Sequence, residues 1–322
     1  MQCLCSQDLL YVILPYFNFC EFRKRKQLFI EFVNRIKNTP GLRIVVAESG
    51  DDLPKLGVWK HIKIKPSEPL WIKEHLVNLG AHELPRNWKY IAWIDADITF
   101  LNENWVEDTI QVLELANVVQ MFHSVINLGP NGEPIKTDKS FGYMARGSNT
   151  PYLKNDKYGF WHPGYAWACT RNAFETMKGL IDWAILGSGD RHMALALIGK
   201  VIDSCPGNVH PNYKNLLIEY QDRVKNLSLS WVPGTIVHHW HGSLANRKYK
   251  ERWDILTKNS FDPLSDMVLR RDGFLQFSDK GKNLVGNALN DEEDKDAVKA
   301  KSKMGSSLKK IKLPSMFSSN VF

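Results

Sequence analysis

Apolar and polar positions along the chain alternate between two periods. "LLYVILPYF" (9–17) is an apolar run of strand length. "FRKRKQLFIEFVNRI" (22–36) instead places Leu28, Phe29, Phe32, Val33 and Ile36 at helical spacing. "LRIVVAE" (42–48) predicts a second strand that ends in a turn-rich "SGDD", and "WKHIKIK" (59–65) alternates apolar and basic residues as a half-exposed edge strand does. "LWIKEHLVNLGAHEL" (70–84) reads as a helix and "YIAWID" (90–95) as a central strand. Strands alternating with helices predict an α/β sheet whose ligands sit at the carboxyl ends of its strands. Pro15, Tyr16 and Asn18 at the end of the first strand, Glu48 after the second, and Asp95 and Asp97 then gather at one edge.

From about 130 to 165 the chain is rich in Gly, Pro, Asn and Lys, which predicts a long loop region with a hairpin. Loops of that length in a domain are usually lids or binding surfaces. A helix over 172–182, the turn "GSGD", a second helix over 191–199 and the segment "WVPGTIVHHWHGS" complete the globular part, 1–290. Residues 291–322 carry seven lysines against five acids and few apolar positions, so they predict a disordered tail, dispensable for catalysis.

Composition narrows the picture modestly. A 322-residue chain with 43% hydrophobic and 24% charged residues has ample material for a core and is not globally disordered. The formal charge of +7 suits polyanionic ligands, but the basic residues are scattered, so a nucleotide diphosphate fits as well as a nucleic acid and no nucleic-acid partner is expected. Five cysteines without zinc spacing predict free thiols in a reducing, cytoplasmic setting. The first apolar run follows Asp8 without a basic lead and contains Pro15, which favours a strand over a signal peptide, and no run reaches the roughly 20 apolar residues of a membrane span.

The candidate chemistry begins with "DAD". Side chains alternate along a strand, so Asp95 and Asp97 are expected to point to the same side of the sheet, where two desolvated carboxylates call for a cation. Carboxylate oxygens suit Mg²⁺ or Mn²⁺. In "VHHWHG", His239 and His241 would share a strand face and could add an imidazole ligand, shifting the preference toward Mn²⁺; His241, just before Gly242, is favoured over His239. "GSGDRHMA" sets Asp190 at a helix start, where it is either an N-cap or a general base, with Gly189 allowing close approach of a substrate. "GFWHPGYAWA" offers Trp161, Gly164, Tyr165 and Trp167 as core or as an aromatic platform for an acceptor. "NRKYKER" places Arg247 where a basic segment could clamp a diphosphate.

Taken in order, these pieces resemble the glycosyltransferases of the GT-A fold, in particular the β1,4-galactosyltransferase-like enzymes, over roughly residues 9 to 255. "LPYFN" looks like their opening nucleotide-contacting segment, and "WIKEHLVNLG" is similar to the helix that places Lys73 where they carry a nucleotide-contacting arginine. "WIDADITF" matches their Asp-x-Asp metal site, "GYAWACTRNAFETMKGLIDWAILGSGD" has the layout of their acceptor segment, and "HHWHG" falls where a late histidine completes the metal site. The chain departs from them at Phe17 and Asn18, where arginines stand, and in having one acid, Asp190, at the Gly-rich turn. "HHWHGSLANRKYKERWDIL" also looks like bacterial and viral glycosyltransferase-like proteins.

The resemblance implies a mixed sheet flanked by helices, with a nucleotide-binding half to about residue 125 and an acceptor-binding half from about 126. It implies Mn²⁺ or Mg²⁺ at Asp97, with Asp95 and a histidine, and transfer of a hexose from a nucleotide-diphosphate sugar, UDP being the common choice. The acceptor is left open between glycan, lipid-linked sugar and protein. Two rival readings also fit the sequence. "DADIT" also fits the nucleophile loop of haloacid-dehalogenase-type phosphatases, and a non-catalytic glycan- or nucleotide-binding module would keep the aromatics without using Asp190.

Overall fold

The first apolar run becomes β1 (Leu10–Phe17), the hub of the sheet. The computed structural model describes residues 8–19, 21–65, 70–152, 161–241 and 251–282. After β1 come α1 (Arg23–Ile36), β2 (Leu42–Ser49), β3 (Lys60–Ile64), α2 (Lys73–His82) and β4 (Tyr90–Ile94). Next are β5 (Ile98–Phe100), α3 (Trp105–Leu113), β6 (Val118–Gln120), β7 (Ser124–Leu128), β8 (Pro134–Lys139), α4 (Phe141–Arg146), β9 (Ala166–Thr170), α5 (Arg171–Met177) and α6 (Gly189–Ala196). The chain continues through α7 (Pro211–Val224), β10 (Leu229–Trp231), β11 (Thr235–His238), α8 (Glu251–Lys258), α9 (Pro263–Asp266) and a small hairpin of β12 (Met267–Leu269) and β13 (Leu275–Phe277).

The main sheet has the order β10-β6-β9-β4-β1-β2-β3, parallel except that β9 runs against both β4 and β6. A second sheet, β5-β11-β7-β8, stands beside it. Strand parity divides the main core in two. Leu10, Val12, Leu14, Ala92, Ile94, Ala166 and Ala168 pack with α1 and α3 on one face, while Ile13, Ile91, Trp93, Trp167 and Cys169 pack with α2, α5, α6 and α7 on the other. That is why β1 and β4 read as continuous apolar runs instead of alternating ones. The five residues of α1 picked out by helical spacing are its buried ones.

The sheet opens where β1 outruns β4. The β1–β2 ladder continues to Phe17, but the β1–β4 ladder runs only from Leu10 to Ile13 on β1. Pro15, which has no N–H to give, sits in that outrunning segment. β2 lies on one side of β1 and β4 on the other, so this is the switch point at which α/β sheets bind ligands.

Several boundaries differ from the sequence pattern. α2 begins at Lys73 and α5 stops at Met177, where Lys178 and Gly179 turn left-handed (φ 59° and 81°). The loop-rich region contains the expected hairpin, β7 with β8, and also α4. The alternation argument for Asp95 and Asp97 needs correction: β4 ends at Ile94 and both acids lie in the turn before β5. The pattern also left α7 unread, because its buried positions, Tyr213, Leu217, Tyr220 and Val224, alternate with strongly polar ones. The tail 291–322 lies outside the described residues.

Gln120, wholly buried at the end of β6, ties the Trp161–Tyr165 region to the sheet. Its Nε2 donates to the carbonyls of His162 (2.9 Å) and Gly164 (3.0 Å), and its Oε1 accepts from Gly142 N–H (2.9 Å). Gln120→Leu removes the partner of Gly142 N–H and of the Gly164 carbonyl and leaves the His162 carbonyl only its bond from Phe141 N–H, and urea unfolding should show a loss of about 2 kcal/mol; an unchanged midpoint would mean the segment is anchored elsewhere.

Candidate active site

At the open edge the Lys73 ammonium bridges two carboxylates, 2.7 Å from Asp95 Oδ1 and 2.8 Å from Asp190 Oδ2. α2 begins at Lys73, β4 ends just before Asp95, and Asp190 stands in the first turn of α6, so three elements meet on one charge. Burial works against the charge on Lys73, yet Asp190 and Asp95 hold its pKa well above the ordinary lysine range. Burial raises the Asp95 carboxyl, even with Lys73 beside it. Glu74, next along α2 and 4% exposed, is pushed by burial up to about 8. Its carboxylate fills the space a side chain at Gly189 would need, with Oε1 only 2.3 Å from a Cβ placed there. Gly189 therefore packs closely against Glu74, whose side chain would have to shift to admit a larger residue there.

Asp97 faces the other way, toward the end of β11. Its Oδ2 lies 2.9 Å from His241 Nε2 and 3.7 Å from His238 Nε2. Burial would raise Asp97, but the two imidazoles hold it well below the usual carboxylate range. His239 is elsewhere: its ring nitrogen Nε2 lies 2.8 Å from Thr99 Oγ1, and its backbone N–H donates to the Asp97 carbonyl (2.8 Å). β11 ends at His238, so strand alternation does not extend over 239–241, and His238 stands beside Asp97 where sequence reasoning had His239.

One ligand atom from each of Asp97, His238 and His241 lies within 4.8 Å of the others. Asp97 Oδ1 is buried and has no hydrogen-bond partner among the described residues. An orphaned carboxylate oxygen beside two imidazoles is a donor set that fits a divalent transition ion, Mn²⁺ more readily than Mg²⁺.

The remaining candidates divide. Tyr165 belongs to the site: its ring stacks on His162 (centroids 4.2 Å apart), lies against His238 (4.8 Å), and its carbonyl accepts from Asp95 N–H (2.7 Å). It does so at φ 81°, and Ser188, two residues before Asp190, at φ 76°; non-glycine residues so placed are strained, which is common at functional sites. A Cβ on Gly164 would lie 4.0 Å from Asp190 Oδ2, which puts the Trp161–Tyr165 segment beside that acid. Trp161 is half-buried, edge-on to Phe141 and Tyr152. Trp167 needs correction as an acceptor platform: on β9 it is wholly buried, its Nε1 donating to Pro163 O (2.8 Å), and it faces no solvent.

On the β1–β2 side, Tyr16 is buried against Phe29 and its hydroxyl donates to Asp52 (2.5 Å). Asn18 closes a local turn with Phe22. Glu48 is wholly buried, accepting from Asp52 N–H (2.6 Å) and Leu53 N–H (2.8 Å) and meeting His61 (2.7 Å). These three shape the cleft wall through internal bonds. Pro15 borders the crevice, and Arg247 lies outside the described residues. Sequence reasoning missed Glu74, Asn127 and Asp138. Asn127 had a signal, a polar residue at the same strand parity as the buried Val125; Glu74 had none, being one more charge on a helix.

No protein-family model and no curated protein matches the sequence. Solved structures similar to it include a mutant β1,4-galactosyltransferase 7 from Drosophila in complex with manganese, UDP-Gal and xylobiose (15% identity, 74% of each chain, TM-score 0.39). They also include glucosyl-3-phosphoglycerate synthase from Mycobacterium tuberculosis with Mn²⁺ and UDP (10% identity, 84% of this chain and 87% of that one, TM-score 0.41). A third is a glycosyltransferase involved in glycosylation of the major capsid of PBCV-1 (12% identity, 74% and 96%, TM-score 0.32). With TM-scores below 0.5 these likenesses are loose, and the functional reading rests on the chain's own residues.

Glu74 gives a pH test. Its pKa of about 8 in the fold lies above the ordinary 4.5, so between those values the folded state holds a proton that the unfolded state has lost. Stability from this group is full below about 4.5 and falls as pH rises to about 8. Glu74→Gln should flatten that slope and be the more stable protein at pH 8.5. Parallel pH profiles of the two in urea melts would overturn the assignment.

Proposed function

We propose that the chain is a metal-dependent glycosyltransferase that moves a hexose from a nucleotide-diphosphate sugar, UDP-linked, to a hydroxyl of a glycan, a lipid-linked sugar or a protein. The observation that carries the reading is Asp97 Oδ1, buried and without a hydrogen-bond partner among the described residues, beside His238 and His241 and in the same turn as the Asp95 that Lys73 joins to Asp190. A divalent ion held by these three residues would supply positive charge to the oxygens of a leaving diphosphate. The switch-point crevice beside Pro15 receives the nucleotide, with Asp95 near the ribose and Arg247 toward the diphosphate. The donor half runs to about residue 125 and the acceptor half onward from there.

Asp190 is the base. Its Oδ2 is taken by Lys73, which fixes the carboxylate and leaves Oδ1 for an acceptor hydroxyl. The hydroxyl oxygen attacks the anomeric carbon, its proton passes to Asp190, and the bond from that carbon to the diphosphate oxygen breaks with its electron pair. One such displacement inverts the anomeric configuration. Gly164 and Tyr165 shape the acceptor side, with Trp161 at its margin. A haloacid-dehalogenase-type phosphatase is disfavoured because it needs a later acidic pair to complete its Mg²⁺ site, and four residues after Asp190 the chain has Ala194 instead of a second acid. Among the described residues no helix is long and apolar enough to cross a membrane. Cys169, wholly buried in the core, is a thiol, in keeping with a cytoplasmic setting.

Calorimetry with UDP-sugars and Mn²⁺ tests the donor site: Asp97→Ala should abolish metal-dependent binding while melting as a folded protein, and wild-type affinity in that variant would refute the metal assignment. With a turned-over donor identified, Asp190→Asn should lose about 10²–10⁴-fold in kcat and keep donor affinity. NMR of the product's anomeric configuration then decides the base, since retention is incompatible with Asp190 as drawn.

A further inference from the structure

Resting on that metal reading, we infer that Asn127 and Asp138 are positioning residues that hold His238 in a single tautomer, with the proton on Nδ1 and the Nε2 lone pair turned toward the ion. Three neighbouring strands bring them together. In the parallel β7–β11 ladder Asn127 stands opposite His238, and in the antiparallel β7–β8 ladder Asp138 stands opposite Val125, diagonal to Asn127.

The hydrogen bonds run in one direction. Asn127 Nδ2 donates to Asp138 Oδ2 (3.0 Å) and to the Lys136 carbonyl (3.5 Å). Both of those groups only accept, the carboxylate having Lys136 Nζ 2.7 Å from its other oxygen, so the amide NH₂ must face them. The amide oxygen is then forced to the opposite side, where it meets the Tyr165 hydroxyl (2.9 Å) and His238 Nδ1 (3.0 Å). An amide oxygen cannot donate, so His238 Nδ1 carries the hydrogen. In neutral imidazole that leaves Nε2 unprotonated, and Nε2 is the nitrogen on the Asp97 side. Asp138 is 5% exposed and Asn127 half-buried, so water competes little for these bonds. Outer partners of a metal-bound histidine fix its tautomer and ring orientation, and their loss typically weakens metal affinity about 10–100-fold.

The test uses the full chain, ¹⁵N-histidine-labelled and metal-free at pH 8, with His238 identified by loss of its signals in His238→Gln. Two-bond ¹H–¹⁵N spectra of the wild type should show the Nδ1–H form alone. Asp138→Ala, which lets the amide rotate, should show both tautomers, and its Mn²⁺ Kd should rise about tenfold. Asp138→Asn keeps the shape but can donate as well as accept, so it should also show both and covers the case in which the alanine variant does not fold. Asn127→Asp sets two carboxylates against each other and should weaken Mn²⁺ binding. Combining it with Asp138→Asn exchanges donor and acceptor while keeping an acceptor toward Nδ1, and should restore both tautomer and affinity. A wild type in the Nε2–H form, or folded Asp138 variants with unchanged tautomer and Kd, would overturn the inference. Failure of the wild type to bind Mn²⁺ would instead remove the metal reading, while the metal-free spectra would still decide the positioning claim.

Discussion

A buried ammonium between two carboxylates organises the working edge of this molecule. Lys73 belongs to the start of one helix, Asp95 to the turn that follows a strand and Asp190 to the start of another helix. None of the three is cheap to bury alone, and each is tolerable because the other two are there. Such a cluster adds little net stability compared with apolar packing, but it fits only one relative placement of the elements that bear it. The same cation explains how the chain carries two acids one residue apart. Asp95 answers to Lys73 and Asp97 to the histidines, so the pair is divided between two partners on opposite sides of a turn.

Strain is concentrated at the same edge. Tyr165 and Ser188 hold left-handed backbone conformations that cost roughly 1–3 kcal/mol each. Tyr165 in return brings its carbonyl to Asp95 and its ring and hydroxyl to the neighbours of His238, and Ser188 starts the helix that presents Asp190. The two apolar cores on either face of the sheet provide the rigidity against which these conformations are maintained.

Much of this was legible from residues alone, where burial follows a period. The alternation of 3.6 and continuous apolar runs located β1, α1, β2, β4 and the edge strand β3, and the position of "DAD" after an apolar strand pointed to the candidate site. What stayed hidden depends on the third dimension. Strand alternation was carried too far at both ends of the site, because hydrogen-bonded pairing stops at Ile94 and His238 and the chain then turns. Trp167 looked like a platform because aromatic density marks both cores and sugar sites, and only the insertion of β9 between β4 and β6 makes it core. Asn127 and Asp138 acquire meaning from β7 lying between β8 and β11, a neighbourhood no local pattern encodes.

That insertion also affects how the chain is made. β1, β2, β3 and β4 can pair with one another as soon as they leave the ribosome, since their partners precede or closely follow them in the chain. β4, however, waits for β9 to cover its second edge, and β9 is translated only after β5 to β8. Until then the nascent chain displays an unpaired, apolar strand carrying Ile91 and Trp93, the kind of edge through which partly made proteins associate. The antiparallel strand that joins β4 to β6 therefore also closes that edge, and a stalled or shortened chain lacking it would present β4 to every neighbour.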